Sequence, residues 1–173
     1  MSKRSVQTIR LILGDQLSHN LATLRDIDPA HDVVLMAEVM GECTYVPHHP
    51  KKIALILSAM RHFAEALREK DIEVRYVRLD DEANTGELES ELARALKDLG
   101  ALHVVITEPG EWRLLDAMQG WADQFGVSVD IRVDDRFIVS KQRFSEWAGS
   151  RKLMRMEDFY REVRKSTGLL MKD

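Results

Sequence analysis

The chain has 173 residues, 45% of them apolar and 31% charged, a globular balance that excludes disordered, collagen-like and disulfide-scaffold sequences. A domain of this length buries roughly two-thirds of the surface its unfolded form exposes, so a core forms without metal or disulfide staples. The single cysteine, Cys43, excludes an internal disulfide and an all-cysteine zinc or iron–sulfur centre within the chain, and it points to a reducing compartment, the cytoplasm by default.

No apolar run approaches the ~20 residues of a spanning helix, and Met1-Ser2-Lys3-Arg4 leads into no signal-peptide cleavage pattern. Membrane insertion and export are therefore not expected. Residues 141–173 carry nine Lys/Arg against five Asp/Glu, whereas residues 1–140 carry 16 against 24. An acidic body with a basic tail fits an anionic partner or an acidic neighbouring domain, and equally well a solvated helix face.

In chain order, apolar runs rich in Val, Ile and Leu predict buried strands at Thr8–Leu13, Val33–Val39, Ile72–Leu79, Leu102–Thr107 and Val127–Val133. Between the second and third, Ile53, Ile56, Leu57, Met60, Phe63, Ala64 and Leu67 recur at helical spacing. Leu88, Leu92, Ala95, Leu96 and Leu99 do the same before the fourth strand. Trp112, Leu115, Met118, Trp121 and Phe125 follow it, behind a Pro109 suited to a helix's first turn. Strands alternating with helices predict right-handed crossovers and a doubly wound α/β fold, a Rossmann-like five-stranded parallel sheet with helices on both faces. The rhythm breaks after Asp134-Asp135-Arg136-Phe137. Phe144, Trp147, Met154, Met156, Phe159 and Tyr160 then lead into a helix-like run ending at Gly168-Leu169-Leu170-Met171. A terminus just beyond an unpacked apolar trio reads as cut, with more chain expected past Asp173.

Gly14-Asp15-Gln16-Leu17 follows the first strand, at the carboxyl edge where doubly wound sheets place ligands. One glycine with no Gly-Lys-Ser/Thr is neither a dinucleotide fingerprint nor a P-loop. The plain alternative is a tight turn freed by Gly14 and capped by Asp15. Glu38, Gly41, Glu42, Cys43, Tyr45, His48 and His49 follow the second strand and should face that turn across a crevice. Carboxylates and a tyrosine there suit the amide-like edge of a heterocycle, with Ile53 and Ile56 over its flat face; a surface loop without ligand is the alternative.

Adjacent histidines point in different directions, so His48 and His49 with Cys43 and Glu42 do not read as a metal site. No orienting third group supports a Cys43–His nucleophile pair. Glu108 and Glu111 read as first-turn acids complementing a helix dipole, ahead of a reading in which they pair with arginines or line the crevice, and Asp80-Asp81-Glu82-Ala83-Asn84 as a solvated loop ahead of a catalytic carboxylate pair. The Trp and Met residues at helical spacing read as core.

Taken together, Leu11–Leu17, Glu38-Val39 through Tyr45-Val46 and His48-His49, Leu57–Ala64, and Thr107-Glu108-Pro109-Gly110-Glu111-Trp112-Arg113 make one pattern. Asp135-Arg136-Phe137, Met156-Glu157, Phe159-Tyr160-Arg161 and Thr167–Met171 extend it. The chain resembles the N-terminal domain of deoxyribodipyrimidine photolyase-related proteins, the prokaryotic iron–sulfur, (6-4) photolyase-like photolyase and cryptochrome group. That resemblance implies a light-driven DNA-repair or blue-light-signalling flavoprotein whose FAD and 4Fe-4S cluster lie in a helical C-terminal domain absent from this chain. It implies residues 1–139 as an α/β antenna-binding domain and 140–173 as a helical connector toward that FAD domain, with DNA met by the full-length protein and no repair chemistry in the fragment alone. The implied antenna is 6,7-dimethyl-8-ribityllumazine, held by Gly14, Asp15, Gln16, Ala37, Glu38, Glu42, Tyr45 and Ile56. Ala37 stands where some members carry cysteine, and Pro50 where lysine is common. Two other readings remain: a small nucleotide-handling α/β enzyme using Asp15 and Glu38, and a docking domain with an empty crevice that packs through Phe159, Tyr160, Leu169 and Leu170. For the tail, Arg151, Lys152, Arg155, Arg161, Arg164 and Lys165 suit either DNA phosphates or an acidic interdomain surface.

Overall fold

A computed structural model describes residues 5–149 and 151–171. The chain divides into two compact units, Met1–Asp134 and Asp135–Asp173. In the first, five parallel strands, β1 (Thr8–Leu11), β2 (Asp32–Ala37), β3 (Val74–Val77), β4 (His103–Thr107) and β5 (Ser128–Arg132), form one sheet in the order β3-β2-β1-β4-β5. The doubly wound α/β expectation therefore holds, with strands shorter by a few residues than the apolar runs that announced them. Strand order reverses beside β1, which places a crevice at the carboxyl ends of β1, β2 and β4.

Side chains alternate between two cores. Ile9, Leu11, Val33, Leu35, Val104 and Ile106 point to the face covered by α3 (Leu88–Leu99) and α4 (Trp112–Phe125), where Leu92, Ala95, Met118 and Trp121 meet them. Ile12, Val34 and Met36 point to the face covered by α2 (Pro50–Arg68) through Met60, Phe63, Ala64 and Leu67. The fully buried β2 sequence explains its unbroken apolar run. Pro50 opens α2 at N1, where its missing N–H costs nothing, and His49 Nδ1 accepts from the Lys51 amide at 3.1 Å. Both α3 and α4 stop on glycines in the left-handed region, Gly100 and Gly126.

The β1–β2 crossover is irregular, with one 3-10 turn at Ala22–Leu24. It is held by two arginines from strands. Arg10 on β1, 5% exposed, donates to Asp32 at 2.6 Å and to the carbonyls of Thr23, Arg25 and Asp26. Arg132 on β5 donates to the Ala22 and Arg25 carbonyls and to both Asp26 oxygens. Asp26, held at φ 61, keeps its carboxyl below the usual range chiefly through Arg132. A connection whose carbonyls find guanidinium donors does not need a helix to satisfy them.

The second unit contains α5 (Lys141–Gly149) and α6 (Met156–Thr167). Phe144, Trp147 and Phe159 pack with ring centroids 4.8–5.9 Å apart, and Arg151 stacks over Trp147 while pairing with Glu162. Trp147 is its buried residue among those described; Leu153, Met154, Met156, Tyr160, Leu169, Leu170 and Met171 are exposed. Among the described residues no helix is long and apolar enough to cross a membrane.

Candidate functional site

A cavity of about 210 Å³ opens at the carboxyl edge of the sheet. The turn after β1 supplies Leu13, Gly14 and Asp15; β2 and the short helix α1 (Met40–Thr44) supply Ala37, Glu38, Val39, Glu42 and Cys43; the segment Pro109–Glu111 closes the third side. Ile53, Ile56, Leu57 and Met60 of α2 form an apolar wall. Of the eight predicted contact residues, seven line this space: Gly14, Asp15, Ala37, Glu38, Glu42, Tyr45 and Ile56.

Gln16 is the exception. It is fully buried, accepts from the Leu13 amide, and donates to the Thr107 and Glu108 carbonyls at 3.0 and 3.3 Å. Its amide thus ties the β1 turn to the end of β4, fixing the spacing of two cavity walls from behind.

Gly14 has a steric reason to be glycine. A Cβ there would lie 3.0 Å from Ile56 Cγ2 and 3.1 Å from Met60 Sδ, so its missing side chain lets the turn approach α2.

Glu38 lines the cavity, but its carboxylate is already committed. Its side chain is wholly buried. Oε1 accepts from Arg61 Nε at 2.5 Å and Tyr76 Oη at 2.6 Å; Oε2 accepts from Arg61 Nη2 at 2.7 Å and the Leu79 amide at 2.9 Å. Four donors occupy the four lone-pair directions. Burial pushes the acid's pKa upward, yet the bonds from Arg61, Tyr76 and Leu79 outweigh it and hold the carboxyl below its ordinary value. Burial and the same charge push the Tyr76 phenol up. Glu38 is accordingly a fixed anion that braces β2 against α2 and β3.

Glu42 faces the opposite wall. Both of its oxygens accept from Arg113 Nη2, at 2.9 and 2.8 Å. Arg113 also contacts Glu111 at 3.3 Å and lies 4.5 Å above the Tyr45 ring, while Tyr45 Oη donates to Glu111 at 2.6 Å. That bond, then burial, raises the Tyr45 pKa, so the phenol remains a proton donor. Glu42, Arg113, Glu111 and Tyr45 thus form a clasp joining α1 to the start of α4. The sequence favoured Glu111 as a helix-dipole acid over an acid that pairs with arginine or lines the crevice; the structure gives it both of those roles, with Arg113 as its partner.

Pro109 is not in the first turn of α4, which begins at Trp112 with Glu111 as an extended N-cap; it is buried in the cavity wall instead. Trp112, expected in the core, is 71% exposed because it opens the helix on the outward side. His49 faces its own helix, and His48 contacts the Tyr45 ring and Lys52. Among the described residues, no three His, Cys, Asp or Glu side chains gather as a metal site. Burial, then Glu38 and Glu42, push the Cys43 thiol up, keeping it protonated.

The model of the deoxyribodipyrimidine photo-lyase-related protein family matches residues 10–173. A (6-4) photolyase of Agrobacterium fabrum is 53% identical over 161 residues, covering 93% of this chain and 32% of that protein. The chain thus spans about a third of the length of this curated relative.

Proposed function

The chain belongs to the deoxyribodipyrimidine photolyase-related family, and on that premise we propose that its α/β unit is the antenna module of a light-driven DNA-repair photolyase or cryptochrome, holding 6,7-dimethyl-8-ribityllumazine in the carboxyl-edge cavity. When bound, the lumazine would absorb light and pass excitation to an FAD held in a C-terminal helical domain of the same protein. The observation that carries this reading is the cavity itself: apolar side chains of α2 on one wall, and carboxylates with a tyrosine on the others. A flat ring needs the first, and its N–H and hydroxyl groups need the second.

The residues divide the work. Ile53 and Ile56 cover the ring; Glu42 and Asp15 accept from N–H or hydroxyl groups; Tyr45 closes the rim. Glu38 and Gln16 hold the walls. FAD and a 4Fe-4S cluster would belong to the rest of the protein, since one cysteine cannot ligate a cluster. The exposed apolar row of the second unit suits packing against that domain, and DNA would be met by the whole protein.

Titrating the chain with 6,7-dimethyl-8-ribityllumazine tests the reading. The expected result is a red-shifted absorbance saturating at one dye per chain, weakened roughly tenfold by Glu42→Ala through loss of one charge-assisted hydrogen bond. A titration without saturable binding at that stoichiometry would refute it.

A further inference from the structure

Three walls of the carboxyl-edge cavity are fastened to the interior. The turn after β1 is tied from behind by the fully buried Gln16 to the Thr107 and Glu108 carbonyls. The α2 wall is held through buried Met60, Phe63 and Leu67, and the wall before α4 through buried Pro109 and Leu115. Walls anchored in this way give way only when the domain itself opens.

The remaining wall is anchored only where β2 supplies it. Beyond Val39, itself 2% exposed, residues 40–49 run to the start of α2 with none of them buried. Met40, Tyr45 and Val46 are exposed and join neither core, so no apolar burial holds the segment down. It nevertheless lines the cavity with Glu42, Cys43, Tyr45 and His48. What fastens it is polar: the Gly41 amide donates to the Gly86 carbonyl at 2.9 Å, Glu42 pairs with Arg113, and Tyr45 Oη donates to Glu111. The Arg113 side chain is 48% exposed, and ion pairs so placed contribute little and are screened by salt.

We propose that α1 with Tyr45 is a lid, which lifts off Arg113, Glu111 and Gly86 and opens the cavity while the sheet and the other three walls stay folded. Its hinges are the step out of β2 at Val39 and the stretch from Pro47 to Pro50, whose two fixed φ angles stiffen the far end and confine the motion to residues 40–46. The lid is a property of the free chain. Its task rests on the antenna reading above: it is the door by which a lumazine enters and leaves a domain that is already folded, and Arg113 is its latch.

Amide hydrogen exchange on the free chain tests it, together with iodoacetamide labelling of Cys43, the single cysteine, which rides on α1. The Gly41 amide should exchange by local opening, faster than the paired amides of β2, and about twofold faster again in Arg113→Ala, the worth of one half-exposed ion pair. Raising salt to about 0.5 M should speed it in the unmodified chain more than in the variant. Cys43 labelling should also rise in Arg113→Ala, even though an unpaired Glu42 carboxylate pushes the thiol away from its reactive anion. Saturating 6,7-dimethyl-8-ribityllumazine should suppress both signals. A Gly41 amide as slow as those of β2, or rates indifferent to Arg113 and to salt, overturn the lid whether or not the dye binds; should Arg113→Ala fail to fold, the salt series on the unmodified chain decides. Dye binding that leaves both signals unchanged overturns the lid as the door. Fast, Arg113-dependent exchange without dye binding overturns the antenna reading and leaves the lid standing.

Discussion

Replacing Glu38 by glutamine should destabilise the α/β unit by about 3 kcal/mol, the low end of breaking a buried ion pair from one side. The carboxylate is wholly buried while the Arg61 side chain is 43% exposed, so the stranded guanidinium recovers water and the cost stays below that of two buried charges. Glutamine keeps one acceptor oxygen, but its NH2 then faces donors: the Leu79 amide and Arg61 Nη2 in one orientation, Tyr76 and Arg61 Nε in the other. Tyr76→Phe, which removes one donor and leaves the ion pair, should cost only about 1 kcal/mol. Urea unfolding followed by far-UV circular dichroism reads both; with a slope of about 2 kcal/mol per M, Glu38→Gln should lower the midpoint by about 1.5 M. The folded state holds the Glu38 carboxyl below its ordinary 4.5, so the unfolded chain takes up the proton first as acid is added. Its stabilisation is complete above 4.5 and is lost as pH falls through the lower folded value, a loss the glutamine variant should lack. A midpoint shift under about 0.3 M, or an acid profile unchanged by the substitution, would refute the assignment of Glu38 as a fixed, fully bonded anion.

Arg10→Met should cost about 3–5 kcal/mol, because it breaks from one side the buried pair with Asp32, whose side chain is 5% exposed; thermal unfolding measures it. Gly14→Ala should cost about 1–2 kcal/mol, since Met60 can swing aside but the branched Ile56 cannot, and it should lower lumazine affinity by displacing α2 from the turn. Arg113→Ala should change stability by less than about 0.5 kcal/mol, being half exposed, yet speed lumazine dissociation at least about fivefold in stopped-flow by opening the rim clasp.

Much of this was legible in the sequence because it rests on local pattern. The apolar runs placed all five strands, and the spacing from Ile53 to Leu67 placed α2 along with its cavity-facing Ile56. Residues immediately after strands were legible as cavity-lining positions for the same reason: parallel topology brings them to one edge. What escaped reading depends on partners far away in sequence. Nothing near Glu38 announces that Arg61 and Tyr76 will saturate it from 23 and 38 residues downstream. Gln16 looked like a ligand contact because its turn lines the cavity, yet its amide turns inward to carbonyls 91 and 92 residues away. The five-residue α1 carries no periodicity long enough to detect, and its fixed position comes from Gly41 bonding to the Gly86 carbonyl and from the clasp to α4.

The arginine-held crossover has a consequence for how the polypeptide is made. Asp26 and Arg132 are 106 residues apart, so the segment between β1 and β2 stays incompletely fastened until the final strand has left the ribosome and joined β4. Translation therefore sets the order: the half built on α2 can collapse early, but the first connection to be synthesised is among the last to be locked.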